Sequence, residues 1–235
     1  MRMGALVLAL ALVFAAGVVF ADSTPTGVDV SAGTGSQYNI TPTTPSADVD
    51  AGYTYEVNVD SKANTAFWAG VFGNIEQTIV LGSGNKEMYT WPVTTLAGYI
   101  YLASSNDVNW AGLDGGVTDT DIKNAGIWSA TPTNDTVAAT YKYVDDGSAN
   151  DQDSTAGNQC GTYTTAPNYA LTNDGTGAAH WVSCILKDNQ ATPRIVVKAK
   201  IDQDYANGAF DGTTGVDYQA IVPAGSSTTY YFYKG

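Results

Sequence analysis

Short runs in which apolar and polar residues alternate, each soon cut off by Gly, Asn, Asp or Pro, are the dominant pattern of this chain, and a period of two commits it to sheets. Tyr53, Tyr55, Val57 and Val59 alternate with Thr54, Glu56, Asn58 and Asp60, which predicts a strand with one buried face. Ile195, Val197, Ala199 and Ile201 oppose Lys198, Lys200 and Asp202, which predicts a half-exposed strand. Tyr99-Ile100-Tyr101-Leu102 is apolar on both sides and reads as an interior strand. Residues 77–81 and 87–91 flank Gly82-Ser83-Gly84-Asn85, a short hairpin whose second strand is ended, or set at an edge, by Pro92. Further strands are expected over residues 137–144, 179–186, 216–222 and 229–233. Helical signals gather at one place, where Thr118-Asp119-Thr120-Asp121 leads into Ile122, Ala125, Ile127 and Trp128, a capping residue and acids ahead of helical spacing. Many short strands and one short helix describe an all-β chain, a β-sandwich of immunoglobulin-like or jelly-roll-like kind.

The sandwich is expected to occupy residues 51–235 as a single domain. Ahead of it, residues 22–50 are rich in Thr, Ser, Pro and Gly, with Val28 and Val30 as their strand-like alternation, and read as a flexible lead-in or an edge strand. Residues 1–21 carry Arg2, an uncharged run from Gly4 to Phe20, and Ala21 before Asp22. That is the layout of a signal peptide cut after Ala21; an uncleaved membrane anchor is the alternative that the length of the run allows. The expected location is therefore secreted, at the cell surface. Cys160 and Cys184 are the two cysteines, so an oxidising compartment permits one pairing, a structural disulfide. Neither lies in a CxxC, which disfavours a redox or zinc role.

Charge narrows the partners. Lys plus Arg is 10 against 23 Asp plus Glu, a net charge of −13, which argues against nucleic acid and anionic lipid, since both need clustered cations. The glutamates are Glu56, Glu76 and Glu87; the remaining acids are Asp, which favours turns. Four of them, Asp145, Asp146, Asp151 and Asp153, crowd one loop and would repel one another unless solvated or bridged by a hard cation such as calcium. Asp114, Asp119 and Asp121 form a second candidate metal set, and neither set has the spacing of an EF-hand. No other cofactor is called for.

Catalytic constellations are weak. His180 is the single histidine, without a G-x-S-x-G elbow, and reads as a strand-end residue beside Trp181. The glutamates carry no glycosidase motif. Trp68, Trp91, Trp110 and Trp128 could stack on sugar rings, whereas a core cluster of Trp68, Phe72 and Trp91, with Gly70 and Gly73 permitting a bulge, is the structural reading of the same aromatics. Two glycosylation sequons, Asn39-Ile40-Thr41 and Asn134-Asp135-Thr136, are present, though Pro42 and Asp135 both work against modification.

The block Asn64-Thr65-Ala66-Phe67-Trp68-Ala69-Gly70-Val71-Phe72-Gly73-Asn74-Ile75, followed by Thr78-Ile79-Val80-Leu81 and Tyr89-Thr90-Trp91, resembles a family of archaeal secreted or cell-surface β-rich proteins. The preceding Tyr55-Glu56-Val57-Asn58-Val59 and the terminal Thr229-Tyr230-Tyr231-Phe232-Tyr233 look like that family's flanks. The resemblance implies archaeal origin and export, and it implies no reaction. Members often carry a sequon at the Gly-Asn step; Asn74-Ile75-Glu76 is not one. Arg2-Met3-Gly4 also resembles an archaeal pilin leader cut after Gly4, although residues 22–27 would break the helix such a leader supplies.

These readings converge on a non-catalytic extracellular or cell-surface structural protein, a filament or surface-layer subunit. It would associate with itself or with other surface proteins by donating the strand around Val28 and Val30 to a neighbour's open sheet edge. A carbohydrate-binding module that takes glycans is the alternative, and a secreted hydrolase the third reading.

Overall fold

The computed structural model describes residues 25–33, 35–37, 51, 54, 56, 62–145, 160–161, 163–174, 176, 179–203 and 208–235. The leader, most of the lead-in and, apart from residues 54 and 56, the strand expected at residues 53–59 lie outside the described residues. In chain order the elements are β1 (Thr26–Gly27), β2 (Trp68–Gly73), β3 (Thr78–Ser83), β4 (Lys86–Pro92), β5 (Tyr99–Ala103), a 3-10 turn (Trp110–Gly112), α1 (Asp119–Asn124), α2 (Val137–Thr140), β6 (Tyr143–Val144), β7 (Asn168–Asn173), β8 (Ala179–Lys187), β9 (Ile195–Lys200), β10 (Tyr218–Pro223) and β11 (Tyr231–Lys234).

One sheet has the order β1-β11-β5-β9-β8-β7-β6, a second pairs β10 with β2, and β3 with β4 forms a hairpin of its own. All pairings are antiparallel. The β10–β2 layer lies against β7, β8 and β9, so the molecule is an all-β sandwich. Alternation puts Leu102, Ile185, Val197 and Ala199 on the inner face of the large sheet, where they meet Trp68, Tyr218, Ala220 and Val222 of the small one. Helices α1 and α2 close this core with Ile122 and Val137.

The opposite face of the large sheet carries one continuous row. The register aligns Tyr233 with Tyr101, Tyr101 with Lys198, Lys198 with Cys184, Cys184 with Tyr169 and Tyr169 with Tyr143. Cys184 is bonded to Cys160, with Cα atoms 5.8 Å apart, and Trp110, Leu113 and Tyr163 cover the neighbouring part of the row. Both faces of the sheet are therefore enclosed. That corrects the expectation for β9: Lys198 is only 3% exposed, its Nζ lies 3.8 Å from the Tyr99 ring centroid, and it donates to the Cys160 carbonyl at 2.7 Å. A cation is tolerated there because an aromatic face and a carbonyl replace part of its hydration.

The hairpin occurs with Gly84 at φ +59° in its turn, and β5 is interior between β11 and β9. Helix α1 begins at a capping box in which the Asp121 amide donates to Thr118 and the Asp121 carboxylate accepts from the Thr118 amide. The expected strand over 137–144 is instead α2 followed by the two-residue β6. Thr136 accepts from the Ala139 amide at 3.2 Å and Asp119 accepts from the Val137 amide at 2.7 Å, so two side chains cap a helical turn that Val137 alone would disfavour. Strand β7 is not among the strands expected from the sequence and is an addition.

Candidate functional site

The two edges of the β10–β2 layer are treated differently. Antiparallel geometry turns the backbone groups of every second residue away from the partner strand. On β10 those of Ile221 are met by side chains: Tyr141 Oη donates to the Ile221 carbonyl and the Ile221 amide donates to Ser183 Oγ at 3.4 Å. Tyr230 Oη likewise donates to the Pro223 carbonyl at 2.6 Å. Burial raises the phenols of Tyr141 and Tyr230 well above the ordinary tyrosine value, so both stay protonated and serve as donors. On β2 the corresponding residues are Trp68, Gly70 and Phe72, by their register with Pro223, Ile221 and Gln219. Among the described residues no strand pairs with that side of β2. Gly70 has no atom within 4 Å of where a Cβ would stand, and Phe72 is 42% exposed.

At the end of β2 lies a cavity of about 450 Å³, with Val28 and Val30 of the lead-in on one wall, Ile75 and Gln77 on the other, and Ile100 and Tyr218 among its lining. Ile100 and Tyr218 are core residues, 3% and 7% exposed, so the groove reaches into the sandwich. The Ile75 amide donates to Asp217 Oδ2 at 2.6 Å, fixing the second wall. The first wall is held less firmly. β1 pairs with β11 over Thr26 and Gly27, the Val28 amide donates to the Phe232 carbonyl at 3.2 Å, and Val28 and Val30 are 38% and 60% exposed.

The other candidate residues are dispersed. Trp68 and Trp128 are buried, in edge contact at 5.2 Å, with their indole N–H groups donated to the carbonyls of Asp135 and Phe67. Trp110 packs 4.8 Å from Tyr233. Neither of the first two offers a ring face to a sugar. Trp91 does lie on the surface, on β4, 5.6 Å from Tyr89. The structural cluster of Trp68, Phe72 and Trp91 is not formed either: Phe72 meets Phe210 at 5.4 Å, and Trp91 stands on the separate hairpin.

The carboxylates of Asp114, Asp119 and Asp121 take up separate tasks. Asp114 accepts from the Thr165 and Gly115 amides, Asp119 caps α2, and Asp121 accepts from Thr118 and from Lys187 Nζ at 2.8 Å. Partial burial would raise the carboxyls of Asp114 and Asp121, but these donors, with the Lys187 charge at Asp121, outweigh it and hold both below the ordinary value. Among the described residues no group of three His, Cys, Asp or Glu side chains is arranged to hold a metal. Asp145 is 5% exposed; its Oδ2 accepts from the Cys160 amide at 2.6 Å, and its buried Oδ1 has no hydrogen-bond partner among the described residues. Asp146, Asp151 and Asp153 lie outside the described residues, as does Asn39. Asn134 is exposed, while Thr136 of its sequon caps α2. His180 Nε2 lies 2.9 Å from Asp202 Oδ2, an ion pair when the ring is protonated.

The open edge and the groove join residues far apart in sequence. The signal that could have found them is the WAGVFG run itself, in which Gly70 has open space where a side chain would stand. Comparison with family models, with curated proteins and with solved structures yields no match.

Proposed function

We propose that the chain is a non-catalytic extracellular structural subunit, part of a surface layer, fibre or matrix, and that copies join by strand donation. One observation carries this reading: among the described residues no strand pairs with the outer side of β2, the segment that follows β2 lines a groove that reaches core residues, and the lead-in strand on the other side of that groove is joined to β11 by a two-residue ladder and one further hydrogen bond from Val28. An incoming strand would gain backbone hydrogen bonds from Trp68, Gly70 and Phe72 and bury its alternate apolar side chains in the groove. Val28 and Val30 have the required spacing. The disulfide supports an oxidising compartment, and the net charge of −13 supports a hydrated exterior.

Deletion of residues 22–40 tests the reading by electron microscopy of the purified mature protein. The variant is expected to remain folded and to form no filaments; filaments from the deletion variant refute donation. The exposed pair of Trp91 and Tyr89 favours a second reading, a carbohydrate-binding module. Tryptophan-fluorescence titration against a glycan panel checks it, and a response that fails to saturate with any glycan excludes it.

A further inference from the structure

Two sequons occur in the chain, Asn39-Ile40-Thr41 and Asn134-Asp135-Thr136, and the assembly proposed above uses neither. Asn39 lies outside the described residues, and Pro42 restricts the backbone of Thr41 before it. Val137 follows the second sequon instead. Asn134 stands in a bend ahead of α2 and is exposed, and no hydrogen bond among the described residues engages its side-chain amide. Its neighbours are anchored. Pro132 is buried, Thr65 Oγ1 donates to the Asp135 carboxylate at 2.7 Å, the Trp68 indole donates to the Asp135 carbonyl at 2.7 Å, Thr136 caps α2 and Val137 is 3% exposed. The loop is thus pinned before and after one asparagine that the fold leaves on its surface.

From this contrast we infer that Asn134 is an N-glycosylation site, an inference that rests on the export contained in the function proposed above. In the transfer, the Asn134 side-chain nitrogen forms a bond to the anomeric carbon of an oligosaccharide carried on a polyisoprenyl phosphate or diphosphate. The bond from that carbon to the phosphate oxygen breaks, the lipid phosphate departs with its electron pair, and the amide gives up one proton. The transferase and the sugar donor both belong to the exporting cell.

The fold accommodates the product. A sugar chain is bulky and hydrated and needs a surface loop, and substitution of the Asn134 amide breaks no hydrogen bond among the described residues. Thr136 has two duties, since the hydroxyl that a transferase reads in the sequon is the one that caps α2. The sugar bond forms at Asn134, so cap and glycan coexist. The folded loop would have to give up its bonds at Asp135 and Thr136 to lie extended in an enzyme's cleft, so transfer precedes closure of this loop, while the chain is being exported. The Asp135 charge slows that transfer, and chains with and without sugar are both expected. Through the Trp68 indole the sugar stands beside the first residue of β2, whereas the groove follows the last. Strand donation at the groove is left open.

Tryptic mapping of the full chain, isolated from the cells that make it, tests the inference, because residues 124–142 form one peptide that follows Lys123, ends at Lys142 and holds the sequon. Wild type is expected to give this peptide with an added oligosaccharide mass, placed on Asn134 by electron-transfer fragmentation. Asn134→Gln and Thr136→Ala are each expected to lose that mass, and Thr136→Ser, which keeps both the sequon and the cap, to retain it. Asn134→Gln is the cleaner of the two losses, since Thr136→Ala also removes the cap of α2 and lowers the melting midpoint. A peptide found only without sugar, on chain recovered outside the cell, overturns the inference and leaves the export reading standing. Bare chain recovered inside the cell with its leader intact overturns both. A sugar mass that persists in Asn134→Gln marks attachment to a hydroxyl of the same peptide and likewise overturns the inference. Glycosylated chain that forms no filaments supports it and counts against strand donation alone.

Discussion

Reducing the Cys160–Cys184 bond should destabilise the chain by an amount that follows from where the two residues lie in the sequence. They are 24 positions apart. Closing a loop of that length removes denatured-state entropy worth about 3.5 kcal/mol at 25 °C. For a chain of this size that corresponds to a fall of roughly 7–14 °C in the melting midpoint. Comparing oxidised with reduced wild type isolates the cross-link, because the side chains are unchanged. A Cys160→Ala/Cys184→Ala variant adds the loss of two buried sulfur atoms, since Cys160 and Cys184 are 0% and 1% exposed, and should be less stable again by about 1 kcal/mol or more. Guanidinium unfolding followed by tryptophan fluorescence gives the midpoint and slope. The slope should steepen on reduction, because an uncrosslinked denatured chain exposes more surface. The native contacts of Cys160 with Asp145 and Lys198 act on the folded state and do not replace the entropic effect. A reduced protein within about 1 kcal/mol of the oxidised one would refute this reasoning.

Stability should fall in acid: Asp114 and Asp121 are held below their ordinary values in the folded chain, so their contribution is present above about pH 4 and is lost as pH drops through the folded-state values. Asp121→Asn should flatten that acid limb in melts from pH 6 to pH 2, and an unchanged limb would count against the Lys187 and Thr118 contacts as its source. Calcium should raise the melting midpoint relative to EDTA if the unpartnered Oδ1 of Asp145 belongs to a cation site; identical midpoints reject it, because a ligand that binds the native state tightly must stabilise it.

Local chemistry made several elements readable. The 82–85 turn announced the hairpin, and Thr118 with Asp121 announced α1 through a capping pattern confined to four residues. Strand β9 was placed correctly, but its second buried face depends on Tyr99, Tyr163 and the Cys160 carbonyl arriving from elsewhere, which no window around Lys198 contains. Strand β7 is the sequence NYALTN, polar at both ends, and it forms because β8 offers it a ladder. Apolar alternation at Ile79, Leu81, Tyr89 and Trp91 reads as a buried face, yet the face is exposed, since period reports sidedness and not what covers the side. The groove was least legible. It joins residues 28–30 to 74–77 across the end of the sandwich, and a relation between two distant loops leaves no local pattern.

The pairing of β1 with β11 sets an order of events during synthesis. Thr26–Gly27 precede the rest of the described fold, yet their partner, Tyr231–Lys234, is the last strand. A nascent polypeptide therefore has to be made through residue 234 before Thr26–Gly27 can pair as they do in the fold, and until then their partner strand does not exist. On the strand-donation reading proposed above, closure within one molecule and capture by another would compete once Tyr231–Lys234 have been made, and local crowding of newly made copies would tip that contest.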